Sequence, residues 1–314
     1  MRHTFLFLFA SLVCLSVYSS PGSETQSDSG MRFALNDWAG QRLSSRIMGE
    51  ALTRMGFPVV YVQTPYKEEL ELIANDSLDV AMEIWSTTLK EEFQKAVADG
   101  SVLNLGETGM TAMEDWWYPD YMSEKCPGLP AWTALNECAG LFATAESKPK
   151  GFYLGGPADW GGHDEGRIAA LKLNFEMRHA NNDEELNSAL KQAYANQEPI
   201  MLWVYSPNFT EAVYKGHWVQ FPKYEDACYE DPSWGVNPEL PYDCGKPSGP
   251  IWKAGSHRLK KTWPLAVAAI EKFSITNAEM AALVEKVEVE GQSETAVAAE
   301  WLDNHVVRWS LWFK

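Results

Sequence analysis

Twice along the chain, short apolar stretches alternate with segments of helical periodicity, and few folds accept that alternation. MRFALN reads as a strand, and from Trp38 to Met55 the residues Leu43, Ile47, Leu52 and Met55 recur at roughly helical intervals before Gly56 stops them. FPVVYV then reads as a strand, Tyr66 to Ala74 as a helix, and SLDVAMEIW as a third strand ending in Trp85. The pattern returns further on. GFYLGG is a strand, Glu165 to Leu173 a helix, LNFEMRHA a strand, Asp183 to Asn196 a helix, and EPIMLWVYSP a strand. Strands separated by helices of this length form parallel sheets, whose ligands gather at the carboxyl ends of the strands.

Two such units predict an α/β protein of two lobes, a clamshell with a ligand cleft between them. Residues 31–113 together with 252–314 are expected to form the first lobe, and 114–251 the second. Two crossing strands, near residues 113 to 118 and near 250 to 253, would join them. Ala227 to Pro250 lacks periodicity and reads as a loop, and three helices follow, at Trp263 to Phe273, Asn277 to Val287 and Thr295 to Trp309.

The N-terminus has a different character. Arg2 precedes an apolar run from Phe5 to Tyr18 that ends in small residues, the pattern of a secretory signal peptide over residues 1–20, with a polar linker at 21–30. Export into an oxidising compartment leaves Cys126, Cys138, Cys228 and Cys244, which pair most economically as two local disulfides; a zinc site is the rival, without the tight spacing of a knuckle. A net charge of −17 excludes nucleic acid, because phosphates would be repelled. No HExxH, GxSxG or phosphate-loop pattern is present, so no catalytic, cofactor or metal site is expected.

What the chain does offer is aromatic surface, with 14 tryptophans. Trp38, Trp85, Trp116, Trp117, Trp160 and Tyr205 all fall at or near the expected inter-lobe edge. Such rings suit a quaternary ammonium, which has no N–H to donate and presents a methyl shell that aromatic faces match while they attract its charge. In LGGPADWGGHDE, Gly161 and Gly162 follow Trp160 just ahead of a helix, where bare amides would suit a carboxylate or an N-oxide. In MTAMEDWWYPDYM, Trp116 and Trp117 directly follow Glu114 and Asp115, more aromatic surface beside two acids than a buried strand needs.

These residues resemble the substrate-binding proteins of ABC importers for glycine betaine, choline and related osmolytes. The resemblance rests on Trp38 in NDWAGQ, Trp85 in DVAMEIW, Trp160 in PADWGG and Tyr205 in VYSPNF, where the family more often has Trp. The family has an aromatic at the crossover into the second lobe, which implies one of Trp116 and Trp117 at the cleft, Trp117 by alternation. EDWWYP and the acidic cysteine loop are similar to the branch containing trimethylamine N-oxide binders, which implies Glu114 as a protonated donor to an N-oxide, against its reading as a solvated acid at the rim. The resemblance implies a periplasmic, non-enzymatic protein that binds glycine betaine or a related methylated onium, with specificity for trimethylamine N-oxide, dimethylsulfoniopropionate or choline as the alternative, and hands it to a membrane permease with its ATPase. Dimethylsulfoniopropionate and carnitine carry the same kind of head. A ligand sensor would share the fold, and an exported carbohydrate-active enzyme would also be rich in Trp and acids but needs two carboxylates facing each other. Asp226, Glu230, Asp231 and Asp243 leave calcium binding open against simple solvation.

Overall fold

A computed structural model describes residues 30–314; the expected signal peptide, and the expected linker except for its last residue, lie outside the described residues. The strands that carry the architecture are β1 (Met31–Leu35), β2 (Val59–Gln63), β3 (Val80–Trp85), β4 (Leu103–Pro119), β5 (Gly151–Gly155), β6 (Phe175–His179), β7 (Leu202–Ser206), β8 (Gly216–Trp218) and β9 (Ser248–Gly255). They form one nine-stranded sheet in the order β2-β1-β3-β9-β4-β7-β5-β6, with β8 beside the end of β4.

The expected parallel pairing holds within each half: β1 runs parallel to β2 and β3, and β5 parallel to β6 and β7. The middle of the sheet departs from it. β9 lies antiparallel to both β3 and β4, and β4 antiparallel to β7, because these strands carry the chain out of one half and back again. β4 spans 17 residues: its first part pairs with β9, and Met113 to Trp117 pair with Ser206 to Leu202 of β7. One strand therefore lies in both halves. The first part of β4 escapes a sequence reading, since Gly106, Gly109 and four polar residues interrupt any apolar alternation there.

Helices cover the sheet. α1 (Ala39–Arg54) buries Leu43, Ile47, Met48, Ala51 and Leu52 on one face; α2 (Glu69–Ala74) and α3 (Lys90–Ala98) complete the first unit. α4 (Asp164–Ala170) and α5 (Asp183–Asn196) serve the second. The tail comprises α6 (Pro264–Lys272), α7 (Asn277–Glu288), α8 (Glu294–Asn304) and α9 (Val306–Ser310). The single helix expected from Thr295 to Trp309 is broken at His305, whose φ of −124° is not helical. Thr276 and Glu279 close a capping box on α7. Glu294, at the start of α8, pairs with Arg42 and Arg46 of α1, which returns the tail to the first lobe.

Both loops are stapled. Cys126 is bonded to Cys138 and Cys228 to Cys244, with Cα atoms 5.7 and 6.4 Å apart. Among the described residues, no helix is long and apolar enough to cross a membrane.

Candidate ligand cage

Where the two halves face each other, Trp38, Tyr66, Trp85, Thr88, Glu114, Trp160, Trp203 and Tyr205 line a small pocket. The first lobe contributes residues just past its strand ends. Trp38 follows β1 as the N-cap of α1, Tyr66 follows β2, and Trp85 closes β3. The second lobe contributes Trp160 from the turn after β5, and Trp203 and Tyr205 from one face of β7. Glu114 enters on β4, directly opposite Tyr205 in the register.

The rings meet edge to face. Trp38 stands 5.2 Å from Tyr66 and 5.3 Å from Trp160, centroid to centroid, and Trp85 stands 5.7 Å from Tyr205 at 72°. Trp160 meets Tyr205 at 5.8 Å and 87°. Such mutual packing holds the rings against one another across the two halves. Their polar atoms point outward. Trp38 Nε1 and Trp85 Nε1 donate to Glu83 Oε2 at 3.3 and 3.1 Å, Trp160 Nε1 donates to Asp37 Oδ1 at 3.1 Å, and Tyr205 OH donates to Asp183 Oδ1 at 3.1 Å.

Glu114 is the one carboxyl group among the lining residues. Burial pushes its pKa up to about 7; Lys246 pulls it back, and Asp164 and Asp115 add to the rise. Behind it lies a charge cluster that is balanced within itself. Arg167 Nη1 binds Asp115 Oδ1 at 2.5 Å, Lys246 Nζ lies 2.9 Å from Asp164 Oδ2, and the Lys246 amide donates to Asp115 Oδ2. Glu114 therefore faces the pocket as the member without a cation of its own in that cluster.

Trp116 and Trp117, from which one was expected at the cleft, do not line the pocket. They are core residues of the second lobe. Trp116 stacks on Tyr153 at 3.9 Å and donates Nε1 to Asp164, while Trp117 lies so close to Gly216 that a Cβ there would fall 1.9 Å from the indole. Gly161 and Gly162 also stand outside the lining. Both have positive φ, 91° and 115°, and the space a side chain would take is filled by Thr88 and Lys246. Tyr66, Thr88 and Trp203 were missed. The rule that found Trp38 and Trp85, an aromatic just past a strand end, also points to Tyr66, and the two-residue period of β7 places Trp203 with Tyr205.

The acids of the Cys228–Cys244 loop are dispersed: Asp226 lies 3.7 Å from Lys90 Nζ, Asp231 accepts from Ser233, and Asp243 accepts the Asn237 amide. Among the described residues, no group of three or more His, Cys, Asp or Glu is placed to hold a metal ion.

Fold and pocket together define a two-lobed α/β protein with an aromatic-lined pocket between its halves. Residues 31–304 match the family described as the substrate binding domain of ABC-type glycine betaine transport systems, and the chain belongs to this family. It is 29% identical over 310 residues to a trimethylamine N-oxide-binding protein of Pelagibacter ubique, covering 96% of each chain. Among solved structures, lactococcal OpuAC, closed on glycine betaine, superposes with a TM-score of 0.68 at 19% identity, over 91% of this chain and all of that one (100%). An ABC-transporter choline-binding protein in complex with choline gives 0.65 at 15% identity, over 90% of this chain and 91% of that one.

Proposed function

We propose that the protein is the periplasmic receptor of an ABC importer, that it captures a methylated onium osmolyte in the cage, and that trimethylamine N-oxide is its best ligand. The lobes, residues 31–113 with 252–314 and residues 114–251, close about β4 and β9 and deliver the ligand to a permease and its ATPase. The observation that carries the choice of ligand is Glu114. An N-oxide oxygen is bonded directly to the onium nitrogen, so its donor must sit in the wall of the cage itself. Glu114 sits there, and burial, by pushing its pKa up to about 7, favours the protonated form that can donate as the pH falls below that value. A carboxylate ligand extends further and needs donors beyond the wall. The similarity to a trimethylamine N-oxide-binding protein supports the same choice. Glycine betaine is the second reading, on the strength of Lys246, whose ammonium lies 5.8 Å from the Trp203 ring centroid.

Titration with trimethylamine N-oxide at pH 6 and pH 8 tests the role of Glu114. A protonated donor is lost as pH rises through about 7, so affinity should fall about tenfold across that interval. Glu114→Gln keeps a donor without a titrating proton and should bind equally at both pH values, and Glu114→Ala should bind poorly at either. Flat pH dependence in the wild type together with full affinity in Glu114→Ala would eliminate the N-oxide mechanism.

A further inference from the structure

Four of the six cage rings end their polar atoms on carboxylates. Glu83 receives both Trp38 and Trp85, Asp37 receives Trp160, and Asp183 receives Tyr205. None of the three acids lines the pocket, so none competes with the rings for the methyl shell of a ligand. A buried indole N–H needs an acceptor, but a backbone carbonyl or an amide would serve at a far smaller desolvation cost than an ionised carboxylate. Glu83 shows how far the chain goes against that cost. It is 1% exposed, at the centre of the wholly buried β3, and Ser44 Oγ supplies a third donor at 2.7 Å. Burial raises the pKa of Glu83 above the ordinary carboxyl range, and the three donors that converge on it pull the other way, toward the anion.

We propose that Glu83, with Asp37, determines specificity from behind the rings: these anions make the cage attract an onium in preference to a neutral hydrocarbon of the same shape. The inference rests on the onium reading of the pocket. Its physics is a difference in range. The attraction of a ring face for a cation needs close contact, whereas a charge acts as the inverse of distance and is still felt across the thickness of a ring. Hydrogen bonding to an anion also pushes electron density toward the ring and strengthens the face itself. The cage thus gains charge selectivity while its surface stays apolar.

Trimethylamine N-oxide and tert-butanol, nearly equal in shape but with nitrogen replaced by carbon, separate this role from a purely structural one. Both are titrated by tryptophan fluorescence into wild type, Glu83→Gln and Asp37→Asn. Each variant keeps an acceptor and removes the charge, so it should lose trimethylamine N-oxide affinity on the order of tenfold and leave tert-butanol binding unchanged. Asp37 lies at the surface, so Asp37→Asn decides the matter even if Glu83→Gln does not fold. Equal losses for the two compounds, or no loss for either, would overturn the inference while the onium reading stands. A wild type that does not prefer the N-oxide over tert-butanol would sink both.

Discussion

Trp85 contributes to the pocket as a wall, held by its ring contacts with Trp38 and Tyr205 and by its bond to Glu83. Removing one ring from such a cage should cost on the order of 1–3 kcal/mol of affinity, so calorimetry on Trp85→Ala should show a loss of tenfold or more. Glu114 makes a second prediction, for the ligand-free protein. Its folded-state pKa, about 7, lies above the ordinary carboxyl value of 4.5, so its contribution to stability is fully present below pH 4.5 and lost as pH rises through 7. Glu114→Gln escapes that loss. Denaturant titrations should find it more stable than wild type at pH 8, by up to ~3 kcal/mol, with the difference shrinking toward pH 5. Sequence alone placed Trp38, Trp85, Trp160, Tyr205 and Glu114 near one cleft, because strand ends in α/β proteins converge. It misassigned the Trp pair for a physical reason. Which side of β4 a tryptophan occupies depends on Tyr153, Phe175, Phe221 and Gly216, partners that no local pattern names.

Lys253 ties together the elements at the waist of the sheet. It lies on β9, is 0% exposed, and donates Nζ to the carbonyls of Glu107 on β4 at 2.8 Å, Phe273 at 2.7 Å and Glu271 near the end of α6 at 3.1 Å. Those carbonyls include the unpaired end of a helix, which burial would otherwise leave unsatisfied. Lys253→Met should therefore destabilise the fold by about 3–5 kcal/mol in a denaturant titration, with ligand affinity in the folded fraction little changed. An unchanged stability would mean that water reaches the three carbonyls. Elements with strong periodicity, such as α1, α5 and the parallel strands, were legible from sequence. β4 and its pairing with β9 were less so, since an antiparallel crossing strand is specified by partners more than a hundred residues away.

For the molecule as a whole, contacts between the halves surround the cage on several sides. Trp160 reaches Asp37, Lys90 lies near Asp226, and Asn187 Nδ2 bonds Glu288 at 3.4 Å. The Lys90–Asp226 pair is exposed and adds little by itself. Four of the six rings meet across the halves, Trp38 on Trp160 and Trp85 on Tyr205. The most direct measurement of the central claim is a calorimetric panel of trimethylamine N-oxide, glycine betaine and choline on the wild-type protein at pH 6. Micromolar or tighter binding of trimethylamine N-oxide, with the other two weaker, is the predicted result; affinities no tighter than millimolar for all three would contradict it.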